Sequence, residues 1–329
     1  MRSFLNRAAL CGVGAVVLSN VAFAEPVMTP GYGLETWANV SDPVTLAFTP
    51  AGDVFVGRDP AGSGGSSFAA TPIHHVGSAG GAATEFGSPV PDPDAVAYDV
   101  TGAITGVAGS VITGGHTTGG VLYSIAPNGT ASTLAGPSTA FDNPNDFVVD
   151  GSRLLFTDIS RKDVKSFSNG VVSSLFSMPY RTITIDTHKP SGSIFTSNEH
   201  GDVSVHTTDG QLVMAAFASG LGTQPAIAIE PDNSLFIPAD DEDNGTIANR
   251  GVPTPVLFTL GSGELRRYTA PEQYEVLGTG FSAMWDIGFG PDGALYLADF
   301  NNDRVLRVVP EPTAFALLAV GGLLALRRR

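Results

Sequence analysis

Asp286-Ile-Gly-Phe-Gly-Pro-Asp-Gly-Ala-Leu-Tyr-Leu-Ala-Asp-Phe-Asn-Asn-Asp-Arg-Val-Leu-Arg-Val308 decides the fold. Apolar residues alternate with small or polar ones up to Pro291-Asp292-Gly293. They alternate again up to Asn301-Asn302-Asp303, and a third run follows. Period-two runs bounded by Pro-Asp-Gly and Asn-Asn are strand signals. The same shape recurs upstream. Thr45 to Phe48 turns at Gly52 into Val54 to Val56. Val96 to Tyr98 turns at Gly102. Phe147 to Val149 turns at Gly151 into Leu154 to Phe156. Ile183 to Ile185 turns at Gly192 into Ile194-Phe195. Ile227 to Ile229 turns at Asn233, and Leu235 to Ile237 is the expected next strand. The turn residues Gly52, Gly102, Gly151, Gly192, Asn233 and Gly293 lie 50, 49, 41, 41 and 60 residues apart. Each interval leaves room for a second hairpin, such as Val121 to Ile125 before Asn128-Gly129 or Val203 to Val205 before Asp209-Gly210. Two hairpins per repeat make a four-stranded blade, which cannot bury both faces alone. Six copies predict an all-β, six-bladed β-propeller over residues 25–308. The last copy ends after its third strand, so Tyr32 to Trp37 is expected to supply the fourth. That pairing would close the ring without a free edge.

Composition agrees. Gly and Pro make 63 of 329 residues, and charged residues only 15%. A turn-rich chain with few charges is poor material for long helices. The net charge of −15 excludes a general nucleic-acid binder, which needs basic surface. Residues 25–309 hold 12 basic and 31 acidic side chains, a net −19. Such a body stays soluble and attracts divalent cations weakly.

Both ends differ from this body. Residues 1–24 read as a secretory signal peptide: Arg2 and Arg7, an apolar run from Ala8 to Val21, then Ala22-Phe23-Ala24 before Glu25. Cys11 lies inside it, so the mature chain has no thiol. Residues 309–329 begin with Val309-Pro310-Glu311-Pro312, continue through uncharged Ala314 to Leu326, and end in Arg327-Arg328-Arg329. The 13 uncharged residues would span about 20 Å as a helix, short of a hydrocarbon core of about 30 Å. This suits transient anchoring, with the arginines cytoplasmic. The segment resembles the PEP-CTERM sorting signal. The resemblance implies export, processing by an exosortase-type membrane protease, and association with exopolysaccharide producers.

Pro291 to Asp299 with Asn302 to Val305 resembles the core of NHL-type repeats. Pro144-Asn-Asp-Phe-Val-Val-Asp-Gly151 and Phe156-Thr-Asp158 resemble gluconolactonase-like propellers. That second resemblance implies one divalent metal on the axis, held by carboxylate and Asn oxygens.

The loops entering the innermost strands are the expected site. Aligning the residues before each first strand gathers Asp94, Asn145, Asp146, Arg181 and Asp286 in one ring. Asp94, Asn145, Asp146 and Asp286 offer hard oxygens that suit Ca²⁺ or Mg²⁺. Asp94, Asn145 and Arg181 are the candidate ligand contacts, Arg181 for a carboxylate or phosphate. Asp240-Asp241-Glu242-Asp243-Asn244-Gly245 starts like a calcium loop, but its twelfth position is Gly251, which excludes an EF-hand. His74 and His75 alternate faces of one strand, and no His pair has zinc-helix spacing. No G-x-S-x-G is present, and Gly62 to Ser67 has no following Lys, so it is a loop and not a phosphate cradle.

Two readings follow. In the first, the chain is an exported, non-catalytic binding or matrix propeller at the cell surface, with exosortase, the export machinery, and an exopolysaccharide or surface protein as partners. In the second, it is a metal-dependent, lactonase-like hydrolase with Asp146 or Asp286 as general base.

Overall fold

The computed structural model describes residues 25–59, 70–115, 119–232, 234–236 and 255–311. The signal segment, Gly62 to Ser67, His116, Asp240 to Gly245, and the tail from Pro312 through Arg329 lie outside the described residues. Among the described residues no helix is long and apolar enough to cross a membrane.

Six sheets form, each built on a four-stranded antiparallel meander from the axis outward, the sixth taking its fourth strand from the N-terminal segment. Blade 1 is Pro43–Phe48, Val54–Arg58, Ala70–Val76 and Thr84–Pro91. Blade 2 is Ala95–Asp99, Ser110–Gly114, Leu122–Ile125 and Ala131–Ala135. Blade 3 is Pro144–Asp150, Arg153–Asp158, Asp163–Ser168 and Val171–Ser177. Blade 4 is Thr182–His188, Ser193–Asn198, Val203–His206 and Leu212–Ala218. Blade 5 is Ala226–Ile229, Leu257–Gly261, Glu264–Ala270 and Gln273–Thr279. Blade 6 is Met284–Phe289, Leu295–Asp299 and Arg304–Pro310, completed by Tyr32–Asn39. Each inner strand packs on the next in chain order, and the sixth returns to the first.

The apolar core is divided among the six blade junctions. Phe55 and Val96 meet between blades 1 and 2, Phe156 and Ile112 between 2 and 3, and Leu155 and Ile194 between 3 and 4. Phe195 and Leu257 fill the junction of blades 4 and 5, Phe258 and Leu297 that of 5 and 6, and Val56 and Tyr296 that of 6 and 1. A blade therefore buries both faces. Its second strand is apolar on both sides, and Leu295–Asp299 is buried at every residue.

The N-terminal strand closes the ring as the sequence predicts. Leu34 pairs with Val308, Glu35 with Arg307 and Thr36 with Leu306, but Ala38 pairs with Val305. The extra residue is a bulge at Trp37, and a bulge reverses the side on which later residues fall. Leu34 accordingly packs toward blade 5, and Trp37 and Ala38 toward blade 1. The strand extends through Val309 and Pro310, which pair with Gly33 and Tyr32, two residues past the expected boundary.

Three features depart from the expected pattern. Val27–Met28 adds a fifth strand to blade 5. Gly81–Ala82 from blade 1 pairs in parallel with Ala38 and Asn39 of blade 6. Leu235 to Ile237 is not the second strand of blade 5, because Ala226–Ile229 pairs with Leu257–Gly261. The 60-residue interval contains an insertion between those two strands. Leu235 and Phe236 form a turn, and Ile237 lies outside the described residues. Phe236 anchors the insertion by stacking on Tyr32 at 5.7 Å and meeting Phe258 edge-on at 5.0 Å.

Candidate functional site

The inner strands leave a cavity of about 600 Å³ around the axis. Aliphatic and aromatic side chains, including Leu46, Val148, Ile185, Ile227, Ile287 and Phe289, share its wall with polar ones such as Thr49, Thr187 and Asp232. Its rim is the set of turns that follow the inner strands, with Pro50, Pro190, Pro231 and Pro291. The cavity thus opens where the chain leaves the inner strands, opposite to the expected entry end. Asp94, Asn145 and Arg181 do not line it.

Three carboxylates from the inner strands of blades 3, 4 and 6 do line it: Asp146, Asp186 and Asp286. Each performs the same local task. The Asp146 Oδ1 accepts the Phe147 N–H at 2.8 Å, and its Oδ2 accepts the Ile185 N–H of blade 4 at 2.8 Å. The Asp186 Oδ1 accepts the Thr187 N–H at 2.6 Å, and its Oδ2 the Ile229 N–H of blade 5 at 2.7 Å. The Asp286 Oδ1 accepts the Ile287 N–H at 2.8 Å, and its Oδ2 the Leu46 N–H of blade 1 at 2.8 Å. One oxygen holds the local backbone and the other clips the next blade. Hydroxyls serve similarly. Thr45 bridges the Asp94 carbonyl and the Val96 N–H of blade 2, and Thr184 donates to the Pro225 carbonyl at 3.0 Å.

Burial pushes the Asp146 carboxyl up to about 7, against the opposing pull of its two amide hydrogen bonds, with the Asp186 charge adding to the rise. Burial, then the charge of Asp146, pushes Asp286 well above the usual carboxylate range. Burial also raises Asp186. At neutral pH the axis is therefore less negative than three aspartates would make it. Rim groups are engaged locally: the Lys189 Nζ donates to the Val149 carbonyl at 2.6 Å, and Glu230 pairs with Arg267 at 3.1 Å.

The expected ring is divided. Among the described residues, Asp94, Asp146 and Asp286 do not gather as one carboxylate cluster. Asp94 lies instead with Asp59 and Asp92, their ligand oxygens within 4.8 Å of one another. The Asn145 side-chain amide donates to the Ile183 carbonyl at 2.7 Å, another clip to blade 4. Arg181 is exposed, with Glu199 at 3.9 Å. The Asn145 amide nitrogen and one oxygen each of Asp146 and Asp286 are engaged with backbone across blade junctions. His74 and His75 do face opposite sides: His74 is buried near Ser41, and His75 packs on Phe55 and Phe86. Asp186 was missed because it sits further along its strand than the aligned column. A lone Asp in Thr-Ile-Thr-Ile-Asp is its sequence signal.

No protein-family model and no curated protein sequence matches the chain. Solved structures do, as six-bladed propellers. An auxiliary nutrient binding protein from Bacteroides ovatus is 11% identical, with a TM-score of 0.61 over 86% of this chain and 77% of that one. A putative gluconolactonase is 12% identical, with a TM-score of 0.59 over 86% and 94%. A streptogramin B lyase is 14% identical, with a TM-score of 0.54 over 85% and 98%. The named neighbours span binding proteins and enzymes, so the likeness shows the fold alone.

Proposed function

We propose that the chain is an exported, surface-associated propeller that binds a ligand in its axial cavity without transforming it. One observation carries this reading: the three inner-strand aspartates each use one oxygen on an amide of their own strand and the other on an amide of the next blade. Carboxylate oxygens that already accept amide protons are weaker acceptors for a substrate proton, and drawing them from those amides would loosen the ring. A lining that mixes aliphatic side chains with hydroxyl and carboxyl groups such as Thr49, Thr187 and Asp232 suits a small, hydroxyl-rich molecule. The acidic surface disfavours an anionic polymer. A neutral, hydroxyl-rich saccharide from an exopolysaccharide is the partner class proposed. Export rests on residues 1–24, and surface sorting by an exosortase-type protease rests on Pro310-Glu311-Pro312 with Arg327 to Arg329.

The test titrates the full-length protein with neutral and acidic oligosaccharides by calorimetry and assays a lactone panel in parallel. Saturable binding of the neutral class is expected, weakened at least tenfold by Val148→Trp, which fills the cavity. Lactone turnover lost in Asp146→Asn would overturn the reading in favour of the hydrolase.

A further inference from the structure

We propose that Asp59, Asp92 and Asp94 form a Ca²⁺ site at the junction of blades 1 and 2, separate from the axial cavity. Asp59 follows the second strand of blade 1, and Asp92 and Asp94 lie on the crossing from blade 1 to blade 2. One carboxylate oxygen from each lies within 4.8 Å of the others. Ca²⁺ bonds oxygens at about 2.3–2.6 Å in flexible geometry, so such oxygens can share one ion, whereas Mg²⁺ demands a near-ideal octahedron at about 2.0–2.1 Å.

A second observation points to a ligand. The Asp94 Oδ1 is shut off from solvent and meets no hydrogen-bond partner. Buried polar atoms are rarely left in that state, and a buried carboxylate oxygen least of all. Burial, with Asp92 and Asp59 alongside, pushes the Asp94 carboxyl well above the usual range, a penalty that a bound cation relieves. The adjacent Arg58 turns to Asp42 at 4.0 Å and Glu85 at 3.8 Å.

The backbone beneath the carboxylates is fixed. The Asp94 N–H donates to the Asp92 carbonyl at 2.9 Å, and the Arg58 N–H to the Pro93 carbonyl at 2.9 Å. Two glycines permit this closeness: a Cβ at Gly57 would stand 2.0 Å from the Asp94 carbonyl oxygen, and one at Gly115 would stand 1.9 Å from that of Asp92. An ion held here would tie the blades where Thr45 already clips them, and it needs no axial ligand.

The experiment uses the full-length chain, stripped with chelator, and adds Ca²⁺ or Mg²⁺ alone. Calorimetry and thermal melting are the readouts. One Ca²⁺ per chain is expected, with melting raised by several degrees at a hundredfold excess over Kd. Asp94→Asn should weaken Ca²⁺ binding at least tenfold. The charge-matched surface control Asp209→Asn should not. If Asp94→Asn fails to fold, Asp59→Asn provides the same test from the side of blade 1. No Ca²⁺ response in the stripped protein, Mg²⁺ binding as tightly, or full Ca²⁺ binding in the cluster variants overturns the proposal. Saccharide binding is measured separately, so loss of the Ca²⁺ site would leave the axial reading standing.

Discussion

Asp146 shows how a side chain that looks catalytic can hold a fold together. Its carboxyl is buried at the cavity wall, and its protonation is governed by burial against two amide hydrogen bonds. Removing both acceptors leaves the Phe147 and Ile185 N–H groups without them, at about 1–3 kcal/mol for each group that water cannot reach. Asp146→Ala should therefore cost about 2–4 kcal/mol in denaturant unfolding. The pH dependence has a defined sign. The carboxyl titrates near 7 in the folded chain and near 4 when unfolded, so the folded state keeps a proton that the unfolded state releases. Its contribution is complete below about pH 4 and is lost as pH rises through about 7. Wild-type melting should fall from pH 5 to pH 8 more steeply than that of Asp146→Asn. Burial lowers the pKa values of His74, His188 and His206, which act in the opposite sense but equally in both proteins. Parallel melting curves would show that Asp146 does not hold this proton.

The closing strand is the element on which the ring depends. Tyr32–Asn39 joins the two ends of the body, adding apolar contacts to both neighbouring junctions. Arg307 reinforces it through Glu35 at 3.0 Å, and Arg304 reaches Glu25 at 2.7 Å. These exposed pairs contribute little, so packing and backbone pairing decide. Deleting residues 25–40 should expose the Arg304–Pro310 edge and shift the protein to aggregates in light scattering. A monomer with unchanged melting would show that the ring closes by other means. Phe236 tests the insertion of blade 5. Phe236→Ala removes a buried ring from between Tyr32, Phe258 and Phe289 and should cost about 3 kcal/mol.

Across the whole molecule, stability is distributed around the ring. Six junction clusters replace a central core, and the axis is left open as a cavity lined by their clips. Both ends of the body emerge from blades 5 and 6, where Val27–Met28 and Arg304–Pro310 lie. Removing residues 312–329 should leave the paired strand intact and change surface retention without changing melting. Fractionation and melting of the truncated protein check this. Unchanged retention would show that the tail does not sort the protein.

The amino-acid order alone determined the repeat, the blade number, and the N-terminal origin of the last outer strand. These follow from local signals: period-two runs, Pro-Asp-Gly turns, and one strand missing from the final copy. The interval between Asn233 and Gly293 misled, because an insertion inside a blade lengthens a repeat as a longer connection would. The candidate site was legible only in part. Asp146 and Asp286 could be assigned to the axis because they occupy the same place in their repeats. Asp186 stands further along its strand, and Asp59 lies far in sequence from Asp92 and Asp94. Only the packing of adjacent blades decided that Asp94 joins Asp59 and that Asp146 reaches Ile185. A carboxylate's partners are set by backbone that folding brings beside it, and a repeat records its position but not those neighbours.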